Sequence, residues 1–225
     1  MLDPLYITLF LLFLINSYGF YYSYIITTKS YLNHSKIQNR FIGFDTVKKR
    51  TPLILFNIAV LMILTALGLI YFKSFFITDY ASIGQELLKL CFVLVIDDIF
   101  FYFLHRTMHE NKYLYKKIHK IHHRANTPIP IDYIYVHPFE WLSGFVGPFI
   151  GMILVGGISF YTFWAYLIIR NIHELHIHSG LKTSFLLRFL PFYGLNEHHD
   201  MHHFKRDGNY ASTFIFLDKL FKTQI

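Results

Sequence analysis

The sequence predicts an all-α membrane protein with four or five transmembrane or re-entrant helices and a cytosolic, histidine-rich helical cap that encloses two metal ions. Three observations lead to this fold class. Of the 225 residues, 54% are hydrophobic and only 16% are charged, against about 25% charged in an ordinary soluble domain. Four apolar stretches approach or exceed the length of about 20 residues that a helix needs to cross a bilayer. All of the 14 histidines except His34 lie between His105 and His203.

The four apolar stretches are residues 5–28, 53–72, 87–104 and 141–169. The first lacks the basic leader of a cleaved signal peptide and is longer than one, so we expect it to remain as a helix of the mature protein. The third contains Asp97 and Asp98, and acidic residues inside an apolar span indicate a functional role. The fourth is too long for one crossing, and we expect two helices that fold back near Gly156 and Gly157.

The charges of the loops predict the orientation. Residues 29–50 carry six basic residues and one acidic residue, whereas residues 73–86 carry one lysine and two acidic residues. The positive-inside rule therefore places residues 29–50 in the cytosol and residues 73–86 on the opposite side. Two further crossings then leave the histidines that follow residue 104 on the cytosolic side. We expect one membrane-embedded domain, residues 1–225, with the N-terminal span and basic loop in 1–50 and the core in 51–225.

Three histidine clusters have the spacing of metal ligands. Two residues at i and i+4 form the first cluster, and the pattern i, i+3, i+4 forms the other two, so each cluster shares one helix face. The three clusters are His105 and His109, then His119, His122 and His123, then His199, His202 and His203. Neutral imidazole suits iron, zinc, copper and nickel, and this many imidazoles exceeds what one ion holds. The clusters therefore predict two metal ions.

The residues around the histidines also bear on the identity of the metal. The run His173-Glu174-Leu175-His176 is one residue shorter than the His-Glu-x-x-His motif of zinc hydrolases. A pair of ions with many neutral ligands fits iron better, and the single cysteine, Cys91, excludes a cysteine-based metal site. Asp98 shares a helix face with His105, so we expect its carboxylate to accept the second ring N–H of a ligand histidine. The alternative is a salt bridge to an interfacial lysine.

Further motifs resemble the fatty acid hydroxylase and sterol desaturase superfamily of membrane di-iron enzymes. They are Phe101-Tyr-Phe-Leu-His-Arg, Tyr135-Val-His-Pro-Phe-Glu, His198-His-Asp-Met-His-His and Gly208-Asn-Tyr-Ala-Ser-Thr-Phe. The resemblance covers about residues 50–223 and is clearest from residue 97 onward. Within the superfamily the chain looks most like the C-4 methylsterol oxidase branch.

The resemblance implies a set of site residues. The implied metal ligands are His105, His109, His119, His122, His123, His178, His199, His202 and His203. Glu174, His176 and His198 stay open as further candidate ligands. His137 and Asn209 are expected to support the ligands from nearby, although His137 is also compatible with a pocket role and Asn209 with a simple turn.

The resemblance also implies an activity and its partners. It implies two iron ions, which zinc can replace in a purified protein, and hydroxylation of an unactivated C–H bond of a sterol or other membrane lipid by O2 at the endoplasmic reticulum. A separate electron donor is expected, such as cytochrome b5 or a reductase that uses NAD(P)H. The alternatives are a sterol desaturase, a cholesterol 25-hydroxylase-like enzyme or a fatty acyl hydroxylase. The other possible classes are a metal transport or storage protein and a haem-binding electron carrier. A nucleic-acid-binding protein is the least favoured class.

Overall fold

The computed structural model describes residues 3–40, 42–77 and 82–225, and these residues form helices without any β-strand. Asp79, which entered the charge count of the second loop, lies outside the described residues. The α-helices are α1 (Pro4–Thr28), α2 (Phe44–Tyr71), α3 (Ile83–Glu110), α4 (Lys112–Lys117), α5 (Pro138–Gly144), α6 (Val146–Leu154), α7 (Phe160–Ile177), α8 (Asn196–Lys205) and α9 (Phe216–Leu220). Short 3-10 helices join them, among them His119–Arg124 and Pro130–Ile134. The prediction of an all-α fold is confirmed.

Two helices are long and apolar enough to cross a bilayer, α1 and α2. Their outer faces carry exposed large apolar side chains, including Phe10 and Phe13 on α1 and Phe56 and Ile63 on α2. A soluble protein rarely exposes so extensive an apolar surface, so the chain is a membrane protein. Helix α3 is as long as α2, but it also carries charged residues in its middle. The total of four or five spans and the cytosolic orientation stay predictions.

Polar side chains on the inner face of α1 attach this helix to the rest of the protein. Thr8, Asn16 and Ser23 are buried. Thr8 Oγ1 accepts a hydrogen bond from the indole of Trp164 at 2.9 Å, and Asn16 Oδ1 accepts one from the hydroxyl of Tyr133 at 2.9 Å. Interhelical hydrogen bonds of this kind specify how helices associate where lipid offers no polar partner.

Helix α2 begins at Phe44, nine residues before the predicted span, and continues through Pro52. The earlier start has a local cause. Arg50, which was counted as a free charge of the cytosolic loop, is buried and forms an ion pair with the buried carboxylate of Asp132. Asn57, two turns further along, donates to the carbonyl oxygens of Ile134 and Val136 at 2.9 and 3.0 Å. These contacts fix α2 against the segment that follows the second histidine cluster.

The fourth apolar stretch turns back where the sequence predicts, at Gly156 and Gly157. Both glycines have positive φ angles, 73° and 94°, a conformation that other residues adopt at a cost. The arm before the turn is itself divided at Phe145 into α5 and α6, so the stretch contains parts of three helices. Helix α6 packs closely on α3 because Gly147 and Gly151 present no side chain there.

Gly151 provides a test of this packing. A Cβ atom at residue 151 would lie 3.0 Å from the Cα atom of Val93, so Gly151→Leu has to push α6 away from α3. We expect a loss of about 1–3 kcal/mol in the free energy of unfolding, visible as a lower Tm in detergent. Gly84→Leu is the matched control. Gly84 lies in α3, and a Cβ atom at this residue meets nothing within 4 Å. Equal Tm values for the two variants would contradict this account.

Candidate metal centre

Nine histidines converge in two adjacent groups, and no other groups of this kind occur in the described ranges. The ligand atoms within each group lie within 4.8 Å of one another. Site one contains His105, His109, His119, His123 and His202, and site two contains His122, His178, His199 and His203. All are buried except His109, which is half-buried. These are the same nine residues that the resemblance implies as ligands.

The two triple clusters are each divided between the sites. His119 and His123 belong to site one and His122 to site two, whereas His199 and His203 belong to site two and His202 to site one. In α8 the division follows from helix geometry, because neighbouring residues such as His202 and His203 are about 100° apart around the axis. The imidazole centroids of His123 and His203 are 5.0 Å apart. Each cluster therefore forms part of both sites and joins them.

The separations between ring nitrogens match ligands around one ion. In site one, the Nε2 atom of His119 lies 2.7 Å from that of His109, 2.9 Å from that of His123 and 3.2 Å from that of His105. In site two, the Nε2 atom of His199 lies 3.0 Å from that of His178 and 3.1 Å from that of His203. Ligand nitrogens at about 2.1 Å from a common ion are separated by roughly these distances.

Four of the rings are oriented by hydrogen bonds on their outer nitrogen. The Nδ1 atoms of His105, His119, His178 and His202 donate respectively to Tyr210 O (2.7 Å), Glu140 Oε1 (2.9 Å), Glu174 O (2.8 Å) and Gly208 O (2.8 Å). Because these oxygens only accept, each Nδ1 carries the proton and each Nε2 is left with a lone pair that faces the other ligands. Lone pairs this close repel unless a cation lies between them. The donor set therefore fits two metal ions, and Nδ1 partners of this kind are typical of metal-bound histidines.

Burial holds the rings in the neutral form that binds metal. Desolvation, and then the neighbouring imidazoles, lower the pKa values of the deeply buried histidines well below the usual 6.5. The residues concerned are His122, His123, His199, His202 and His203. Neutral imidazole is the species that coordinates a metal, so the sites are ready to bind ions at neutral pH.

These lowered pKa values predict a pH dependence. Below about pH 6.5 the unfolded chain binds protons on histidines that the folded, metal-free protein keeps neutral, so the free energy of unfolding falls as the pH falls, by about 1 kcal/mol per pH unit for each such histidine. We expect the Tm of metal-free protein in detergent to fall steadily from about pH 7.5 to about pH 5.5. Differential scanning fluorimetry measures this, and a Tm that does not change over this range would contradict it.

The carbonyl groups that orient His105 and His202 belong to one loop, residues 208–214. Asp218 at the start of α9 holds this loop. Its buried carboxylate accepts hydrogen bonds from the backbone N–H groups of Tyr210 and Ala211, both at 2.9 Å, and from the hydroxyl of Thr223 at 2.6 Å. Asp218 received no role from the sequence.

The predicted contact of Asp98 with a ligand histidine is wrong. The Asp98 carboxylate is buried and accepts the backbone N–H groups of Thr213 at 2.7 Å and Phe214 at 3.3 Å. It lies on the same face of α3 as His105, but loop 208–214 lies against that face, and the carbonyl of Tyr210 accepts the hydrogen bond from Nδ1 of His105 instead. Asp98 therefore fixes one end of the loop that orients the ligands.

His137 and Asn209 also act at a distance from the rings. The Nδ1 atom of His137 accepts the N–H of Phe139 at 3.1 Å and so caps α5, the helix that carries Glu140 to the Nδ1 of His119. Asn209 has a positive φ of 53° and joins α8 to the C-terminus, with bonds to the carbonyl of His198 and the N–H of Ile225, both at 2.9 Å. Glu140 was missed by the sequence argument, although its place in the first turn of a proline-initiated helix was visible.

The three further candidate ligands lie outside both groups. Glu174 forms an ion pair with Arg170 and accepts the hydroxyl of Ser212 at 2.5 Å. His198 Nε2 donates to Asp218 at 2.9 Å, which directs its ring away from the sites. His176 is only two residues before His178 on α7, so its ring leaves the helix on nearly the opposite side. None of the three is a member of either histidine group.

A cavity of about 630 Å³ opens beside the sites, within the range of 300–1,000 Å³ that is usual for small-molecule sites. His105, His122, His178 and His199 line it at one end. Most of its wall is apolar or aromatic and comes from α2, α5, α6 and α7. Several wall residues of α2 and α6 belong to the exposed apolar surface. The cavity therefore joins the histidine sites to the face that lipid would cover.

Comparisons with known proteins agree with this site. The sequence profile described as fatty acid hydroxylase matches residues 90–223. Methylsterol monooxygenase 1 of Rattus norvegicus is 37% identical over 76% of this chain and 60% of its own length, and that of Danio rerio is 36% identical over the same shares. The very-long-chain aldehyde decarbonylase GL1-8 of Oryza sativa subsp. indica is 32% identical over 91% of this chain and 75% of its own length. No solved structure matches the chain.

The matched part of the chain thus spans about 60% of the length of the two methylsterol monooxygenases. Within the aligned residues, the family match contains all nine histidines of sites one and two. Loop 208–214 and Asp218 also fall inside it.

Proposed function

Because the chain belongs to the fatty acid hydroxylase family, we propose that it is an O2-dependent membrane oxidoreductase that holds two iron ions and hydroxylates an unactivated C–H bond of a sterol-like lipid. Its similarity to the methylsterol monooxygenases makes a methyl group at C-4 of a sterol the preferred position. The observation that carries the proposal is the pair of adjoining histidine sites at the inner end of an apolar cavity.

The protein contributes binding, orientation and exclusion of water. When bound, two iron ions supply the activation of O2 that oxidation of an unreactive C–H bond requires. Hydrogen bonds from Nδ1 atoms keep the imidazoles of His105, His119, His178 and His202 in the orientation and tautomer that metal binding needs. The apolar wall receives the hydrocarbon of the substrate and keeps bulk water from the reacting carbon.

The location and the electron supply are part of the same proposal. A row of exposed basic residues borders the second histidine cluster, namely Lys112, Lys116, Lys117, Lys120 and Arg124. Such residues favour the cytosolic side of a membrane, so the sites face the cytosol, and the endoplasmic reticulum is the proposed membrane. Electrons come from a separate protein, such as cytochrome b5 or a reductase that uses NAD(P)H.

The rival classes predict a different arrangement of histidines. A metal transporter needs ligands distributed along its spans, and a haem carrier needs axial histidines that face each other from opposite helices at bilayer depth. Here the rings gather in two compact groups at one end of a cavity, which supports an enzyme. The rice relative favours one further enzymatic candidate, oxidative conversion of a long-chain aldehyde on the same metal core.

The test is expression in yeast cells that lack their own C-4 methylsterol oxidase, followed by a sterol profile from mass spectrometry. We expect the accumulated 4-methylsterols to decline and oxygenated or demethylated products to appear. An unchanged sterol profile, from membranes in which the protein is present and carries iron, would refute the C-4 assignment. Long-chain aldehydes supplied to the same membranes test the second candidate, whose product has lost a carbon. A product that lacks two hydrogens would instead indicate a desaturase.

A further inference from the structure

Four charged side chains line the cavity close to the histidine sites, and we call them the charged collar. They are Asp97 on α3, Glu140 on α5, and Arg170 and Glu174 on α7. Glu140 contacts the ring of His119 at 2.9 Å, and the Oε2 atom of Glu174 lies 3.6 Å from Nδ1 of His178. Most other residues of the cavity wall are apolar or aromatic. The cavity therefore has a charged inner end next to the sites and an apolar outer part.

Distances along helix α7 show how far the charged inner end of the cavity lies from the histidine sites. Phe163, Leu167, Arg170, Glu174 and His178 all line the cavity and follow one another along one face of the helix. At about 1.5 Å per residue, Glu174 is about 6 Å and Arg170 about 12 Å from His178 along the axis. Phe163 and Leu167 continue the wall on the far side of Arg170. A group bound at the collar is thus about 6–12 Å along the helix axis from His178 at the sites.

The collar retains hydrogen-bonding capacity that protein groups do not use. Arg170 donates from Nε to Asp97 at 3.0 Å and from Nη1 to Glu174. Among the described residues, its Nη2 has no hydrogen-bond partner. Glu140 uses Oε1 for His119, and its Oε2 is buried and unpartnered within the described residues. One donor, on Arg170, and one acceptor, on Glu140, are therefore left over, and a hydroxyl group can satisfy either of them because it both donates and accepts.

We propose that the charged collar binds a hydroxyl group of the lipid substrate, so that the lipid enters the cavity polar end first and is oxidised within about 6–12 Å of that hydroxyl. An apolar end bound at the collar would leave the Nη2 donor of Arg170 and the Oε2 acceptor of Glu140 without partners, which is costly. The hydrocarbon then occupies the apolar part of the cavity and extends towards the lipid. The inference rests on the proposed function, because it assumes a lipid substrate, and it specifies the direction of that lipid and the residues that recognise it.

The direct test compares three ligands that share one carbon skeleton. Purified protein loaded with zinc, which binds substrate without turnover, is given tritiated cholestanol. Unlabelled cholestanol, with a 3-hydroxyl, then competes against cholestane, which lacks the hydroxyl, and 25-hydroxycholestane, which carries it at the opposite end. We expect cholestanol to compete about tenfold or more better than the other two, as expected for a hydrogen bond to a charged group. Equal competition by cholestane or by 25-hydroxycholestane overturns the inference and leaves the proposed function standing.

The protein side of the test uses two variants. Arg170→Lys keeps a positive charge for Asp97 and Glu174 but removes the planar fork, so the preference for cholestanol over cholestane should fall to near equality. Leu64→Ala is the control, because Leu64 lines the apolar part of the cavity and should weaken cholestanol and cholestane alike. If Arg170→Lys does not fold, the wild-type ligand comparison still decides. Absence of any saturable cholestanol binding would refute the sterol assignment itself, and the inference with it.

Discussion

Replacing His178 with alanine is expected to remove the metal of site two and with it the activity. His178 lies between two other ligands of that site, with its Nε2 3.0 Å from that of His199 and 3.5 Å from that of His122. Site two has only four histidines, so the variant retains three. We expect iron per chain, measured by mass spectrometry of purified protein, to fall to about half or less of the wild-type value, and product formation to fall by at least about 100-fold.

His176→Ala is the matched control for this variant. It removes a histidine that lies two residues before His178, near the end of α7, and belongs to neither site. We expect iron content and activity close to those of the wild type. If His178→Ala instead keeps the full iron content with a native Tm, the assignment of site two is wrong, whatever happens to turnover.

Replacing Asp218 with alanine is expected to destabilise the protein and to weaken both sites, although Asp218 is not a ligand. The substitution leaves the N–H groups of Tyr210 and Ala211 and the ring N–H of His198 buried without acceptors. Because each buried donor left without an acceptor costs about 1–3 kcal/mol, we expect the free energy of unfolding to fall by about 3–5 kcal/mol. Loop 208–214 is then released, so the metal affinity should fall by about 10- to 100-fold. Chemical denaturation and metal titration measure the two effects.

Asp207→Ala provides the comparison, because Asp207 is an exposed acidic residue just before the same loop. Its removal should change neither stability nor metal affinity appreciably. Asp218→Asn keeps the shape of the side chain and one acceptor oxygen, so we expect an intermediate loss. If Asp218→Ala binds metal as tightly as the wild type, the orienting role of loop 208–214 has to be abandoned.

The three histidine clusters could be predicted from the sequence, because imidazoles at helical spacing form a recognisable pattern, whereas His178 entered only through the family resemblance. The division of each triple cluster between two sites could not be predicted, because the second cluster forms a 3-10 helix and tertiary packing decides which ring enters which site. The orienting carbonyls of Tyr210 and Gly208 leave no trace in the sequence, since every residue has a carbonyl group.

Asp98 illustrates the limit of helix geometry. Its position on the face of His105 was correct, yet a loop from more than a hundred residues away occupies the space between them. The start of α2 was placed too late for a related reason. The predicted span was an apolar stretch without charges that begins after Arg50, and the buried partner of Arg50, Asp132, is visible only in the folded structure.

The sharing of both triple clusters between the two sites has a consequence for how the protein acquires its ions. A displacement of either segment, 119–123 or α8, withdraws ligands from both positions at once. The first ion to bind holds both segments in place and so positions the histidines that the second ion needs. Loss of one ion should likewise weaken the binding of the other. Binding of the two ions is therefore expected to be cooperative, so that chains with a full pair outnumber chains with a single ion.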